Sequence, residues 1–153
     1  MSGIEQYDRN NLYFVYPSNW SIDESEMETP EGTVQLSNGG GAFWLLKKYP
    51  FGTNPDDVAR SVIKIMQQEY DDIEIDRFDK IVFDKNITGF EMTFFYLDLM
   101  NSAQVLCFEQ DGIMYAVFWQ TGNQLIILPE EDAPTDRVLE AITLSLLKGE
   151  PAA

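Results

Sequence analysis

Asp111 and Gly112 separate two apolar runs, Ala103–Gln110 and Ile113–Thr121, and they constrain the fold more than any other feature of the sequence. Asp-Gly between two such runs predicts a tight antiparallel hairpin, because both central residues of the turn need positive φ. The turn also sets the register of the two strands. Residues that lie opposite one another share a face of the sheet, so every side chain of the hairpin can be assigned to a face.

This register gathers the large side chains of the hairpin on one face. The bulky face carries Leu106, Phe108, Tyr115, Val117 and Trp119, and the small face carries Ala103, Val105, Cys107, Met114, Ala116 and Phe118. An antiparallel sheet commonly leaves one polar face to water, and neither of these faces is polar. Both faces therefore need a cover, and the small face has room for a closely packed helix.

The sequence leaves two alternatives for the cover of the bulky face. Other strands or a helix of the same domain would make it part of the core. A homodimer partner or another bound protein would make it an interaction site, because large exposed apolar patches mark such sites. Under the second alternative, the partner-binding residues are some subset of Phe95, Leu106, Phe108, Tyr115, Val117 and Trp119.

The rest of the chain predicts short strands and two helices. Runs rich in β-branched and aromatic residues predict strands at Leu12–Tyr16, Thr33–Ser37, Ala42–Leu46, Lys80–Phe83 and Phe90–Leu97. We therefore expect an α+β fold, in which an antiparallel sheet of about six or more strands is flanked by two main helices. The 153 residues suit a single domain, 1–153, with an ordered core from about residue 12 to residue 148.

Capping signals locate the first helix. Asn54 can cap it, Pro55 suits its first turn, and the acidic Asp56 and Asp57 face the positive end of its macrodipole. The helix should run to about Tyr70. Its apolar stripe, which we expect to pack onto the sheet, consists of Val58, Val62, Ile65 and Met66.

A second helix is expected after Pro129 and the acidic Glu130–Asp132, and Gly149 ends it. One of its faces carries Val138, Leu139, Ile142 and Leu146. The two helices should cover opposite sides of the sheet. We expect Val62 and Met66 on one inner face and Leu139 and Ile142 on another.

Two segments resemble ligand-binding loops without completing the pattern. Asn38–Gly41 is rich in glycine, but a strand follows it, whereas a phosphate-binding loop needs a helix whose N-terminal amides face the anion. Asp71–Asp76 lacks the central glycine and closing glutamate of a calcium-binding EF-hand loop. We interpret the first as a connection between strands and the second, like Asp23–Glu31, as a solvated acidic connection.

Composition excludes several classes of function. The formal net charge is −16, which disfavours nucleic acid and anionic membrane surfaces as partners. The absence of histidine removes imidazole bases and histidine-bearing zinc sites, and a single cysteine, Cys107, cannot form an intrachain disulfide. We therefore expect no catalytic residue, no metal and no cofactor. The chain shows neither a signal peptide nor a membrane span, and we expect a cytoplasmic protein unless an export segment has been removed.

The segment Phe14-Val15-Tyr16-Pro17-Ser18-Asn19-Trp20 resembles the strand, proline and tryptophan opening of the PsbP-like and DcrB-like superfamily. The order of elements from about Leu12 to Leu147, with a middle helix, long antiparallel strands and a closing helix, is also similar. The resemblance implies an α/β sandwich whose members mostly serve as accessory subunits, small-GTPase binding factors or secretion chaperones that shield apolar segments. Only the structural positions Pro17 and Trp20 carry over. Many members are exported or lipid-anchored, and this chain departs from that pattern.

These observations favour a non-catalytic protein-binding or adaptor module, with a chaperone-like protein as a subtype. Its partner would be another protein or a second copy of the chain. The alternative is a small-molecule carrier or an enzyme that uses a carboxylate in an apolar pocket, where desolvation raises the pKa of the carboxyl group. Glu91 and Glu109 are the candidates, because each interrupts an apolar strand.

Overall fold

The computed structural model describes residues 3–25, 27, 32–97, 99–122 and 135–149. Within these residues the chain forms strands and two α-helices. The strands are β1 (Ile4–Arg9), β2 (Leu12–Pro17), β3 (Ser21–Ser25), β4 (Thr33–Ser37), β5 (Phe43–Tyr49), β6 (Glu74–Val82), β7 (Lys85–Tyr96), β8 (Leu99–Gln110) and β9 (Ile113–Gln120). The helices are α1 (Pro55–Glu69), between β5 and β6, and α2 (Thr135–Lys148), after β9.

Seven strands form one antiparallel sheet in the order β3-β4-β5-β9-β8-β7-β6, and β1 pairs with β2 in a separate hairpin. The helices lie on opposite faces of this sheet, with α1 against β7, β8 and β9 and α2 against β2 and β9. The predicted α+β fold class, an antiparallel sheet flanked by two main helices, is confirmed.

The β8–β9 hairpin has the register that its turn predicts. Phe108 lies opposite Tyr115 and Leu106 lies opposite Val117. The turn itself has positive φ at both central residues, since φ is 54° at Asp111 and 78° at Gly112. The assignment of side chains to a bulky face and a small face is therefore confirmed. The two faces belong to two separate clusters of buried residues.

The bulky face is covered by α2 and the β1–β2 hairpin. Trp44 of β5 is fully buried there. Its Nε1 donates to Thr143 Oγ1 of α2 at 3.0 Å, and its ring centroid lies 4.9 Å from that of Phe14 on β2. The backbone N–H of Val15 donates to Ser145 Oγ at 3.0 Å, so a side chain of α2 also satisfies the edge of β2. Both covers are therefore joined to the sheet and to each other.

The helices bury the predicted side chains on opposite inner faces. Met66 of α1 is buried in the cluster on the small face, and Val62 packs against that cluster. Leu139 and Ile142 of α2 are buried in the cluster on the bulky face. One member of the predicted α1 stripe is misplaced, because Ile65 is 63% exposed at the side of the helix.

Helix α1 begins as its sequence predicts. Asn54 precedes the helix in an extended conformation, and its Oδ1 accepts a hydrogen bond from the backbone N–H of Asp56 at 2.9 Å. Pro55 occupies the first turn, where a backbone N–H has no helical partner, so the absence of an N–H in proline costs no hydrogen bond. Helix α2 ends before Gly149, whose φ is 59°. The predicted lead-in at Glu130–Asp132 lies outside the described residues.

Three strands or parts of strands were absent from the sequence prediction. Strand β1 lies upstream of residue 12, so the predicted start of the ordered core is too late. Strand β3 begins at Ser21 and extends into the predicted acidic loop Asp23–Glu31, and β6 begins at Glu74, within the predicted connection Asp71–Asp76. All three expose most of their residues, so their sequences lack the strong alternation of a half-buried strand. Phe83, predicted as a strand end, lies in the β6–β7 turn with a φ of 49°.

The buried position of Trp119 predicts the effect of removing its side chain. Trp119→Ala should lower the free energy of unfolding by about 3–5 kcal/mol, because it leaves a large cavity in the core. Urea and thermal melts would measure the loss. Phe95→Ala is the matched control, since Phe95 is 62% exposed and should change stability little. An unchanged melt for Trp119→Ala, together with a loss of self-association in sedimentation, would contradict this assignment.

Two of the core tryptophans, Trp44 and Trp119, differ in one hydrogen bond. Trp44 Nε1 donates to Thr143, whereas Trp119 Nε1 is buried and has no partner among the described residues. We therefore expect Trp44→Phe to be more destabilising than Trp119→Phe by about 1 kcal/mol, the usual net worth of one hydrogen bond. Urea melts of both variants test this prediction. It would be wrong if Trp119→Phe lowered the free energy of unfolding as much as Trp44→Phe does, or more.

Candidate functional site

Five of the six predicted partner-binding residues lie in the core. They are buried on the bulky face beneath α2 and the β1–β2 hairpin: Leu106, Phe108, Tyr115, Val117 and Trp119. A partner protein cannot contact them while these covers are in place. The interface interpretation is therefore wrong for these five residues, and the alternative, a core within the same domain, is correct.

Phe95, the sixth residue, is exposed because β7 and β8 are longer than their neighbours. Pairing with β6 reaches only to Thr93 of β7, and pairing with β9 reaches only to Ala103 of β8. The end of the hairpin therefore projects beyond the sheet. We call its exposed apolar residues the hairpin tip: Phe95, Tyr96, Leu97 and Met100.

A second apolar surface lies on the small face of the sheet. Helix α1 packs on β7, β8 and β9 and leaves the side chains of β5 partly uncovered. The resulting cavity has a volume of about 180 Å³. We call it the α1 groove, and it is lined by Leu45, Lys47, Tyr49, Val62, Ile65, Met66, Val105, Ala116 and Phe118.

Both ends of α1 are anchored toward the β6 side of the sheet. Near its N-terminus, Asp56 pairs with Arg77 of β6 at 2.7 Å and with Arg60 at 2.8 Å, and hydrogen bonds from these two arginines lower the pKa of the Asp56 carboxyl group. Just after the helix, the ring of Tyr70 lies 4.1 Å from that of Phe94 on β7. These contacts place α1 away from β5, and this placement opens the groove.

The uncovered part of the small face changes from polar to apolar between neighbouring strands. On β4, this face carries Thr33, Gln35 and Ser37, which suit contact with water. On β5, it carries the half-buried Phe43, Leu45 and Tyr49 and one charged side chain, Lys47, whose Nζ lies 5.1 Å from the centroid of the Tyr49 ring. The groove therefore exposes apolar side chains where the adjacent strand has polar ones.

The α1 groove is elongated and continues toward the hairpin tip. It follows β5 from Leu45 to Tyr49, which is about 13 Å at about 3.3 Å per residue. At the start of β5, the ring of Phe43 lies 5.5 Å from that of Phe118. Tyr70 connects this end to the hairpin tip, since its hydroxyl accepts from Gln120 Nε2 at 3.4 Å and its ring meets that of Tyr96 edge-on at 6.1 Å.

Two ionisable groups on the small face have raised pKa values. Burial on the small face raises the pKa of the Cys107 thiol to about 12, so the thiol is protonated at neutral pH. Burial also raises the pKa of Tyr49. Among the described residues, no cluster of three or more histidine, cysteine, aspartate or glutamate side chains could hold a metal ion.

Glu91 and Glu109, the predicted candidates for a buried carboxylate, are both exposed. Glu91 lies beside a cavity of about 200 Å³ whose other lining residues include the polar Lys80, Gln104 and Glu140. Neither carboxylate is therefore in the apolar pocket that the alternative function requires.

Sequence reasoning missed the α1 groove, although one geometric signal was available. A helix about 10 Å wide covers about two strands that are about 4.8 Å apart. One helix on the small face therefore cannot cover a sheet of six or more strands. Apolar residues at alternate positions of an outer strand, such as Phe43 and Leu45, are the ones that such a helix leaves open.

Comparisons with known proteins give no family for this chain. The sequence matches no protein-family profile and no curated protein. Its fold is similar to the crystal structure of PA94, a protein of unknown function from Pseudomonas aeruginosa, with a TM-score of 0.40 and 10% sequence identity. The similarity covers 78% of this chain and 83% of PA94.

Neither helix in the described part of the chain has the length and apolar character needed to cross a bilayer.

The cover that α1 provides over Cys107 predicts the reactivity of this thiol. At pH 8, a pKa of about 12 leaves about one thiol in ten thousand as thiolate. We expect maleimide to label the native chain about a thousandfold more slowly than the chain in denaturant, as followed by mass spectrometry. Fast labelling of the native chain would show that α1 does not remain closed over this part of the sheet.

Proposed function

We propose that the chain is a non-catalytic protein-binding module of the adaptor type, which holds an apolar segment of a partner protein in the α1 groove. The observation that carries this proposal is the contrast between the polar β4 and the apolar β5 on the same uncovered face. Apolar side chains that remain open to water beside a packed helix are typical of interaction sites. The exposed Ile65 extends the apolar wall of this groove to the surface of α1.

The length of the groove suits a short helical segment. A helix that spans about 13 Å contains about nine residues at about 1.5 Å per residue. Such a helix would present apolar side chains at positions i, i+3 or i+4, and i+7, as in other complexes where an amphipathic helix occupies a groove. The small side chain of Ala116 in the floor allows a close approach of the bound segment.

The charge of the chain supports a basic partner over a second copy of itself. Two copies that each carry a net charge of −16 repel one another. A partner with Lys or Arg beside its apolar segment would instead be attracted, which raises the rate of association at low ionic strength. We therefore infer a different protein as the occupant of the groove.

The resemblance of the Phe14–Trp20 segment to the PsbP-like and DcrB-like superfamily agrees with this proposal. Accessory subunits and chaperones that shield apolar segments are among the expected members, and a groove for one apolar segment would serve either role. We infer a cytoplasmic protein from its composition, because a single cysteine excludes intrachain disulfides and suits a reducing compartment.

The alternative, an enzyme or carrier built around a buried carboxylate, has less support. Its candidates were Glu91 and Glu109, and both carboxylates are exposed to water. Neither lies in the apolar, water-excluding pocket that such a mechanism needs. The adaptor is therefore the function that the geometry favours.

The groove predicts which surface residue controls binding of an apolar helix. The probe is a fluorescent 14-residue amphipathic peptide of Leu and Lys, and its binding is measured by anisotropy. We expect Ile65→Asp to weaken binding at least tenfold, because it places a carboxylate on the apolar wall of the groove. A second peptide with glutamate in place of lysine should bind the unmodified chain more weakly than the lysine peptide, because the chain has a net charge of −16.

Ile81→Asp is the matched control, because Ile81 is 72% exposed on the edge strand β6, away from the groove. It should fold and bind the peptide as the unmodified chain does. Equal losses at both positions would indicate a nonspecific effect of charge. In living cells, a photocrosslinking residue at position 65 should capture a defined protein that one at position 81 does not, and the same products from both positions would contradict the proposal.

A further inference from the structure

A separate apolar pocket lies on the opposite side of the molecule, between α2 and the β1–β2 hairpin. Its volume is about 250 Å³. One wall consists of Ile4, Val15, Tyr16 and Pro17, and the other consists of Val138, Ala141 and Ile142, with Arg137 as the one charged residue of the lining. The bulky face does not contribute to this pocket, and neither does the α1 groove.

The pocket forms where the first turns of α2 lie away from β2. The backbone N–H of Val15 is satisfied by Ser145 in the second half of α2. Pro17, farther along β2, has no N–H to satisfy, so the strand requires no polar partner there. The first turns of α2 can therefore stand apart from β2 without leaving a backbone donor unpaired at that position. The gap between them is lined by apolar side chains.

Arg137 differs from the other arginines of the chain. Arg9, Arg60 and Arg77 each pair with a carboxylate. The guanidinium group of Arg137 has no hydrogen bond or ion pair with any described residue, although the chain contains 26 acidic residues. The neighbouring Asp136 instead accepts a hydrogen bond from the backbone N–H of Arg137 at 3.0 Å. An unpaired guanidinium at an apolar pocket is a ready partner for an anion.

We propose that this pocket binds a small anionic amphiphile, a carboxylate with a short aliphatic chain. The carboxylate would pair with the guanidinium group of Arg137, near the positive N-terminal end of α2. The chain would lie against Val138, Ala141 and Pro17. A pocket of this size is smaller than the 300 Å³ or more that is usual for larger ligands, and its volume corresponds to about eight groups of about 30 Å³ each, so a carboxylate of about eight carbons fits it best.

Calorimetric titration of octanoate into the purified chain tests this site. We expect octanoate to bind more tightly than octanol and octylammonium to bind least. Arg137→Gln should weaken octanoate binding about tenfold or more and leave octanol binding unchanged, because it removes the charge and keeps a polar side chain of similar reach. Arg60→Gln, an exposed arginine elsewhere on the surface, should change neither affinity.

Two further variants separate this site from the proposed protein-binding groove. Ala141→Phe fills the pocket from an exposed helix position and should abolish binding of both octanoate and octanol. Ile65→Asp alters the α1 groove alone and should leave octanoate binding intact. Circular dichroism melts establish that each variant is folded.

Three outcomes with free ligands would overturn the proposal. Octylammonium could bind as tightly as octanoate, Arg137→Gln could leave octanoate binding unchanged, or Ile65→Asp could abolish it. Vesicles of phosphatidylglycerol test whether the chain binds a membrane surface instead of a free amphiphile. Binding to these vesicles without binding to free octanoate would also contradict a pocket for single molecules.

Discussion

The tight turn at Asp111 and Gly112 fixes the register of the two central strands, and the rest of the fold depends on that register. It places large side chains on one face and small ones on the other, and both faces are apolar. Neither face can remain in water. The chain therefore needs a cover on each side of one sheet, which α2 and the β1–β2 hairpin provide for the bulky face and α1 provides for the small face.

The two covers are unequal, and this inequality produces the candidate site. A helix and a hairpin together cover the bulky face, whereas a single helix covers the small face. The ion pair between Asp56 and Arg77 and the contact between Tyr70 and Phe94 hold that helix toward β6 and β7. The ion pair is partly exposed and weak alone, whereas Phe94 is fully buried beneath the ring of Tyr70. Acting at opposite ends of α1, they leave the apolar side chains of β5 open.

The sequence was sufficient for features that depend on local signals. The hairpin register and the start of α1 at Asn54 follow from residues within a few positions of each other. The strands β1 and β3 escaped prediction because they expose most of their residues. The choice between core and interface for Trp119 depended on where α2 packs, and the groove beside Ile65 depended on a pairing between Asp56 and Arg77 that no local pattern encodes.

The cover of the bulky face joins two segments that are far apart in the chain. Val15 of β2 bonds to Ser145 of α2, and the strands of the main sheet all lie between them in sequence. During synthesis, the seven-stranded sheet can form before α2 has left the ribosome. Trp44 and its neighbours would then face water until the last described helix docks. A stalled or truncated nascent chain would therefore expose a large apolar surface that is prone to aggregation.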